Sequence, residues 1–374
     1  MSNQYKLKDF AQIISVSVKD AQLSPHDRFV GLEHYDSGEP VITRFTDTSL
    51  LTSSTKEFQK NDILIARRNV YLRRAGIVFF SGLTSGDSII LRIYDDCGTR
   101  TGIDKELAIR SIPFILNSNH FWAYANKHAD GMNSKRISKD MILDYEFALP
   151  PISELRVLVD KLWVAYRLKE SYKKLLKATD EMVKSQFIEM FGNPLSDVQK
   201  YDIKPLGECC IINPRRANIN LGDNDEVSFV PMQSVSEDGN LQDVKAEAFS
   251  KVKKGFTYFE NNDVLFAKIT PCMENGKGAI AQDLSNGIGM GSTEFHVLRP
   301  VQGKSNPYWL LALTRMPIFR ERASKNMSGT GGQKRVPTTF LEKFKIGLPP
   351  IEEQEKFEAI YKQSDKSKYF KQIA

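Results

Sequence analysis

The tetrapeptide Leu-Pro-Pro-Ile occurs at residues 149–152 and again, 199 residues later, at residues 348–351. Each copy precedes a segment with helical character. Other pairs of strings recur in the same order: residues 29–30 and 229–230, 61–67 and 262–268, 119–122 and 306–309, and 135–137 and 334–336. Solenoid repeats have periods of roughly 20–50 residues, so a repeat about half as long as the chain is a duplicated domain. The sequence therefore predicts two similar domains that bind the same kind of ligand twice.

The composition is that of a globular protein. Hydrophobic residues make up 41% and charged residues 26% of the 374 residues, which suits packed cores. No stretch reaches the roughly 18 apolar residues of a membrane span, and residues 1–6 lack the apolar run of a signal peptide. We therefore expect a cytoplasmic protein with no membrane partner. The net charge of +6 permits a polyanionic partner without requiring one.

Short apolar runs separated by Gly, Asp and Ser turns predict a mixed α/β fold in each half of the chain. Such runs occur at residues 63–65, 76–80, 89–91, 264–266 and 295–298. The predicted division is a first domain at 1–149, a spacer helix at 150–193, a second domain at 194–347 and a short C-terminal helix at 348–374.

Residues 152–191 contain neither Pro nor Gly and predict one helix, about 60 Å long at 1.5 Å per residue. Pro151 suits the first helical position, and Gly192 followed by residues 193–194 (Asn-Pro) is a helix stop. The apolar stripe along so long a helix must pack against another helix, and residues 351–374 are the obvious candidate. The seam predicted from heptad spacing comprises Leu155, Leu158, Leu162, Ala165, Tyr172, Leu176, Thr179, Val183 and Met190.

Several longer strings are typical of one protein family. They are residues 29–34 (FVGLEH), 185–194 (SQFIEMFGNP), 267–278 (AKITPCMENGKG), 292–295 (STEF) and 329–337 (GTGGQKRVP). Together with the duplicated α/β unit, each copy followed by Pro-Pro and a helix, they resemble the specificity subunit of type I restriction–modification enzymes. The resemblance covers nearly the whole chain.

The resemblance implies a fold of mixed α/β (α+β) character, in which two similar target-recognition domains are joined by a long antiparallel coiled-coil helix pair. Each domain would read one half of a bipartite, asymmetric target on double-stranded DNA. The helices would set the spacing of the half-targets and dock two modification (methyltransferase) subunits, which restriction subunits join. The chain itself would carry no catalytic activity, metal or cofactor. S-adenosylmethionine, Mg²⁺ and ATP would act on the partner subunits.

In the first half, the predicted DNA contacts lie in two basic segments. One surrounds the end of a predicted strand, where arginines can neutralise phosphates and, with polar neighbours, contact bases. The other echoes the basic loop of the second half, although residues 133–136 (NSKR) replace its glycines. The residues are Arg67, Arg68, Asn69, Arg73, Arg74, Lys135 and Arg136. The alternative reading is a solvated positive edge that discourages strand pairing.

In the second half, glycines precede Gln-Lys-Arg in a loop. Glycines let backbone amides approach a phosphate, while Arg can read guanine and Gln can read adenine. The predicted contacts are Lys268, Thr270, Lys277, Gly331, Gly332, Gln333, Lys334 and Arg335. The alternative is an ordinary surface loop with solvated charges.

The sequence leaves two alternative functions. A self-contained DNA methyltransferase or nuclease needs a cofactor loop or a metal-ligand cluster. The histidines lack a spacing such as HExxH, the cysteines lack a CxxC pair, and residues 306–309 (NPYW) only partly match a methyltransferase motif. A coiled-coil adaptor without DNA affinity would bind its partners with little dependence on salt, whereas DNA binding weakens steeply as salt rises.

Overall fold

The computed structural model describes residues 3–21, 24–51, 54–132, 134–193, 200–216, 219–330 and 332–366. The chain divides into two compact units, Met1–Lys169 and Glu170–Ala374, called here the first and the second unit. The boundary falls inside a long helix. The sequence-predicted domain limits at 149, 193 and 347 stay predictions.

In the first unit, eleven strands and six helices can be followed within the described ranges. The strands are β1 (Asn3–Lys6), β2 (Ala11–Ile14), β3 (Val16–Val18), β4 (Arg28–Val30), β5 (Thr46–Asp47), β6 (Thr55–Phe58), β7 (Ile63–Ala66), β8 (Ala75–Ile77), β9 (Gly82–Ser85), β10 (Ser88–Ile93) and β11 (Glu146–Leu149). The helices are α1 (Leu7–Phe10), α2 (Cys97–Thr101), α3 (Lys105–Leu116), α4 (Asn119–Lys127), α5 (Lys139–Leu143) and α6 (Ile152–Phe191), which continues into the second unit.

In the second unit, the described residues form ten further strands and six further helices. The strands are β12 (Ile203–Pro205), β13 (Cys210–Ile212), β14 (Glu226–Val230), β15 (Lys245–Ala248), β16 (Thr257–Glu260), β17 (Val264–Ala267), β18 (Gly278–Ile280), β19 (Ile288–Gly291), β20 (Phe295–Pro300) and β21 (Lys345–Gly347). The helices are α7 (Leu206–Cys209), α8 (Phe249–Val252), α9 (Pro307–Arg315), α10 (Pro317–Lys325), α11 (Thr338–Lys343) and α12 (Ile351–Lys366).

The two units have the same sheet topology, which confirms the predicted duplication. In the first unit a four-stranded sheet has the order β2-β10-β7-β8, and in the second the order is β13-β20-β17-β18. A second sheet runs β6-β9-β4-β5 in one unit and β16-β19-β14-β15 in the other, with β3 as an extra edge strand in the first. In both units this sheet contains one parallel pair, β4–β9 or β14–β19. A two-stranded pairing, β1–β11 or β12–β21, completes each set.

The central strands β7 and β17 are buried along their whole length, as their apolar sequences predict. An aspartate directly precedes each of these strands, and its buried carboxylate binds an arginine of the neighbouring strand, β10 or β20. Arg92 binds Asp62 through two hydrogen bonds of 2.8 and 2.7 Å. Arg299 binds Asp263 through two of 2.8 Å. The repeated NDILIAR/NDVLFAK string therefore carries a duplicated structural ion pair.

Helix α6 begins and ends as the sequence predicts. Pro151 caps it, since its carbonyl accepts the Leu155 N–H at 2.9 Å, and Gly192 after the last turn has a φ of +80°. The predicted seam is only partly right. Leu155 and Val183 are buried, but Leu158 and Tyr172 are 46% and 44% exposed. The buried positions follow the two cores instead of one heptad seam, because the first turns of α6 pack in the first core and the last turns in the second.

Within the second unit, α6 and α12 do pack together. The ring of Phe357 lies edge-on to Phe187 at 5.5 Å and to Phe191 at 5.6 Å. The helix pair expected from the sequence is therefore present at the C-terminal end of α6. Among the helices of the described ranges, none combines the length and apolar character that a bilayer span requires.

One of the sequence echoes is wrong. Residues 119–122 begin α4, the helix that leads into the loop at 128–136. Residues 306–309 begin α9, whereas the helix that leads into the matching loop is α10. The shared Asn-x-aromatic-Trp pattern reflects two helix starts with a buried Trp, Trp122 and Trp309, and not equivalent positions. Core packing is the observed role of both rings.

Candidate nucleic-acid interface

In the first unit, the two predicted basic segments lie side by side. Arg67 and Asn69 follow strand β7 in the β7–β8 hairpin, and Lys135 lies in the loop after α4. The Ile137 N–H donates to the Arg67 carbonyl at 3.0 Å, and the Asn69 N–H donates to the Lys135 carbonyl at 2.8 Å. The Arg67 N–H donates to the Asp87 carbonyl at 3.1 Å. Two of these backbone bonds join segments that are 66 and 70 residues apart in the chain, and the third joins Arg67 to Asp87, 20 residues further on.

The second unit builds the same junction. The Val336 N–H donates to the Lys268 carbonyl at 2.8 Å, and the Thr270 N–H donates to the Lys334 carbonyl at 3.0 Å. The Lys268 N–H donates to the Glu294 carbonyl at 2.9 Å. These bonds are the counterparts of the three in the first unit, residue for residue.

The basic loop of each unit also closes on itself in the same way. Arg136 exchanges two backbone hydrogen bonds with Asp130, at 2.8 and 3.0 Å, and Arg335 exchanges two with Ser328, at the same distances. Each arginine is thereby fixed at the base of its loop. The structure brings the two predicted segments of each half into one site, here called the first and the second basic site.

The side chains of the first basic site are partly engaged within the protein. Arg68 donates from Nε to Ser134 Oγ at 2.9 Å, and Arg73 donates to Asn119 Oδ1 at 2.7 Å. Arg74 donates to two backbone carbonyls, and its burial lowers the pKa of its guanidinium. Arg74 therefore supports the hairpin, whereas Lys135 and Arg136 are exposed on the loop. Contact of these residues with DNA stays a prediction.

In the second basic site, Thr270 braces the glycine loop. Its Oγ1 donates to the Gly332 carbonyl at 2.8 Å and accepts from the Lys334 N–H at 3.0 Å. Gly329 has a φ of +133°, and a Cβ there would meet the Gln333 carbonyl at 2.5 Å, so this position requires glycine. The side chains of Gln333 and Lys334 are exposed.

Two other predicted contacts complete the account of the second site. Lys277 directly precedes β18, the strand that pairs with β17, and its N–H donates to the Cys272 carbonyl at 3.0 Å. Its side chain is half-buried. Gly331 lies outside the described residues. The loop around it is described only up to Thr330 and from Gly332.

A carboxylate, which sequence reasoning did not single out, lies at the centre of each basic site. Glu294 accepts Arg335 Nε at 2.9 Å and Nη2 at 2.7 Å. Asp87 lies 3.6 Å from Arg67 Nε, 3.5 Å from Arg68 Nη1 and 3.8 Å from Arg136 Nη2. The hydrogen bond from Arg335 lowers the pKa of Glu294, and the same bond raises the pKa of Arg335.

A signal for these carboxylates is present in the sequence. Each follows a serine by two residues, as Ser85-x-Asp87 and Ser292-x-Glu294, just before the equivalent strands β10 and β20. In both units the carboxylate residue donates its own N–H to that serine hydroxyl, at 3.2 Å. Aligning the halves through the Asp62 and Asp263 strings and on to Arg92 and Arg299 would have found the pair.

Several known proteins are similar to this chain in sequence or in fold. Residues 197–371, which include the whole second basic site, match the type I restriction modification DNA specificity domain. This chain is similar to that specificity domain over its second half. Its similarity to two curated relatives from Escherichia coli extends over part of each chain. The EcoAI specificity subunit is 44% identical over 148 residues, which are 39% of this chain and 24% of the relative.

The EcoEI specificity subunit is 41% identical over 152 residues, which are 40% of this chain and 25% of the relative. The chain thus spans about a quarter of the length of the curated relatives it matches. Among solved structures, the S subunit of a type I restriction–modification system from M. genitalium aligns with all of this chain and 92% of its own length, with a TM-score of 0.57 and 11% identity. That similarity shows a shared fold.

Proposed function

We propose that this chain is the sequence-recognition subunit of a type I restriction–modification enzyme and reads a bipartite target on double-stranded DNA. The observation that carries the proposal is the basic site built twice, with the same backbone hydrogen bonds, in a chain whose residues 197–371 match the type I restriction modification DNA specificity domain. A protein that reads two half-targets needs two such sites.

The two basic sites differ in their side chains, which supports an asymmetric target. The first site places Arg67, Arg68 and Arg136 around one aspartate. The second offers one glutamate-bound arginine, Arg335, beside the exposed Gln333. A cluster of arginines can bind phosphates and guanines. A glutamine beside one oriented arginine can instead bind an adenine and a guanine. The two sites therefore present different donors to the major groove.

Protein partners are part of the same proposal. Helix α6 keeps large apolar side chains exposed to solvent, a pattern that marks protein-interaction surfaces. They are Val157, Leu158, Val164, Leu168, Tyr172, Leu175 and Met182. We infer that two modification subunits bind along this helix and that restriction subunits join the complex. The chemical steps, with S-adenosylmethionine, Mg²⁺ and ATP, would belong to those subunits, and this chain would be non-catalytic and cytoplasmic.

Paired substitutions test the proposal. The full chain is incubated with duplex DNA containing a random central region, and bound sequences are recovered and counted. Wild-type protein should enrich two separated short motifs. Arg136→Ala should weaken one motif and Arg335→Ala the other, because each arginine belongs to a different site. Arg100→Ala removes an exposed charge of the first unit that pairs with Asp96 outside both sites, and serves as the control.

The salt dependence of binding gives an independent measure. Each lost phosphate contact should reduce the slope of log K against log salt by about 0.9. A wild-type chain that enriches no sequence, and whose interactions do not respond to salt, would refute DNA recognition and favour an adaptor. If Arg136→Ala and Arg335→Ala blurred the same motif, the assignment of one site to each half-target would be wrong.

A further inference from the structure

A carboxylate in the middle of a DNA-binding surface is costly for affinity, since it repels phosphate. Yet both basic sites contain one at the same position, Asp87 before β10 and Glu294 before β20. Both are mostly shielded, with side-chain exposures of 22% and 25%. A serine hydroxyl holds the backbone of each. The repetition calls for a role that offsets the loss of affinity.

In the second basic site, the Glu294 carboxylate binds one edge of the Arg335 guanidinium. Nε and Nη2 donate to the carboxylate, so the edge formed by those two atoms is occupied. Among the described residues, Nη1 has a single acceptor, the Gln333 carbonyl at a long 3.3 Å. The other edge, Nη1 with the second hydrogen of Nη2, is therefore turned away from the carboxylate. Guanidinium geometry lets one edge bind a carboxylate while the other donates to a second planar acceptor.

Orientation matters for reading a base and much less for binding a phosphate. Guanine is recognised by two parallel N–H donors placed against O6 and N7. An unrestrained arginine samples many rotamers and can bind phosphates from many directions. An arginine held by a carboxylate has already lost that freedom. The arginine and its carboxylate together also carry less net positive charge than a free arginine, which weakens non-specific attraction to the DNA backbone.

We propose that Glu294 is a specificity-determining positioning residue, which fixes Arg335 for base reading and suppresses its use as a phosphate contact. Asp87 has the equivalent place in the first unit. The inference rests on the proposed function. The partner chemistry is a guanine edge, or a similarly planar pair of acceptors, in the half-target read by the second unit.

The first basic site uses the carboxylate differently. Three guanidiniums approach Asp87, at 3.5–3.8 Å, so none is held as tightly as Arg335. Asp87 therefore restrains Arg67, Arg68 and Arg136 together, each of them weakly. Removing its charge should release several arginines toward phosphates, and should therefore raise non-specific affinity more than the same change at Glu294.

The test uses the full chain and the random-duplex selection described above, with thermal unfolding as a check on folding. In Glu294→Gln, discrimination at the base pair read by Arg335 should fall about 10-fold, within the range of one bidentate contact. Affinity for unrelated duplex should rise, and its salt slope should steepen by about 1 as the released arginine meets a phosphate. The motif read by the first unit should keep its wild-type enrichment. Asp87→Asn is the matched control and should affect the other motif.

Arg335→Lys is the second variant, and it tests the proposal even if Glu294→Gln folds poorly. It keeps the positive charge but cannot form the two-bond edge pair. It should lose the same discrimination as Glu294→Gln, and the double variant should lose no more than either alone. Glu294→Asp should restore part of the discrimination.

The outcomes separate the two proposals. If wild-type protein enriches no motif, DNA recognition itself fails. If the wild type enriches two motifs and folded Glu294→Gln keeps full discrimination with an unchanged salt slope, Glu294 only closes the loop and the positioning role is refuted. Additive losses in the double variant would also refute it, because they would show that Glu294 does not act through Arg335.

Discussion

The duplicated buried ion pair gives a sharp test of how each unit is stabilised. Asp263 is 1% exposed and binds Arg299 through two hydrogen bonds of 2.8 Å, and it also accepts the Glu260 N–H at 2.8 Å. Arg299→Met keeps a side chain of similar length in β20 but removes the counter-charge. Only the backbone N–H of Glu260 and any entering water would then support the buried carboxylate.

Breaking a buried pair by removing one partner costs about 3–5 kcal/mol, because an uncompensated charge remains inside. Arg299 is 23% exposed, so water can reach the vacated space and the lower end of that range applies. We expect Arg299→Met to lower the stability of the second unit by about 3 kcal/mol. At 1.36 kcal/mol for each factor of ten, amide protection in its central strands should fall by roughly 150-fold.

Hydrogen exchange read by mass spectrometry measures this effect for each unit separately, since opening free energies are local to cooperative segments. Amides of β17 and β20 should lose protection in Arg299→Met, while those of β7 and β10 should not. Arg92→Met, which breaks the equivalent pair with Asp62, should give the opposite pattern with a similar magnitude. Arg322→Met removes an exposed charge of α10 and serves as the control.

Two results would refute the reasoning. Unchanged protection in β17 and β20 would mean that the buried carboxylate is satisfied without its arginine. An equal loss in both units would mean that the units do not open as separate segments, so the pair could not be assigned to one of them.

Three shorter predictions concern other sites. Gln354 is fully buried, accepts the Asn306 N–H and donates to two backbone carbonyls, so Gln354→Leu should destabilise the second unit by about 2–4 kcal/mol in denaturant titrations, unlike the exposed control Glu352→Gln. Because the pKa of Glu294 is lowered in the folded protein, its stabilising effect is present above the unfolded pKa and lost as pH falls through the folded one. The stability difference between wild type and Glu294→Gln should therefore shrink from pH 7 to pH 3 in thermal melts, and a difference that grew toward acid would contradict the pairing. Thiol labelling at pH 8 should modify half-buried Cys272 first. The remaining thiols should react only on unfolding, because burial raises the pKa of each: Cys97, Cys209 (to about 11) and Cys210 (to about 12).

The spacing within the sequence determined much of the fold by itself. The Leu-Pro-Pro-Ile repeat and the strings around residues 61–67 and 262–268 predicted two similar domains, because similar sequences in the same order along both halves form similar strands. The limits of α6 followed from Pro151 and Gly192, since capping and termination are local and depend on only a few neighbouring residues. The basic segments predicted as sites were also visible as charge in the chain.

Tertiary structure alone decided which of these segments meet. The strand order that brings Arg67 beside Lys135 depends on pairings between distant residues, and no local pattern encodes them. The same is true of Asp87 and Glu294, whose place among the arginines follows from the sheet and not from their own neighbours in sequence. The heptad seam was partly wrong for a related reason: which face of α6 is buried depends on the core that each part of the helix packs against. Local sequence fixes the periodicity of a helix, whereas burial is set by the elements that the fold packs against it.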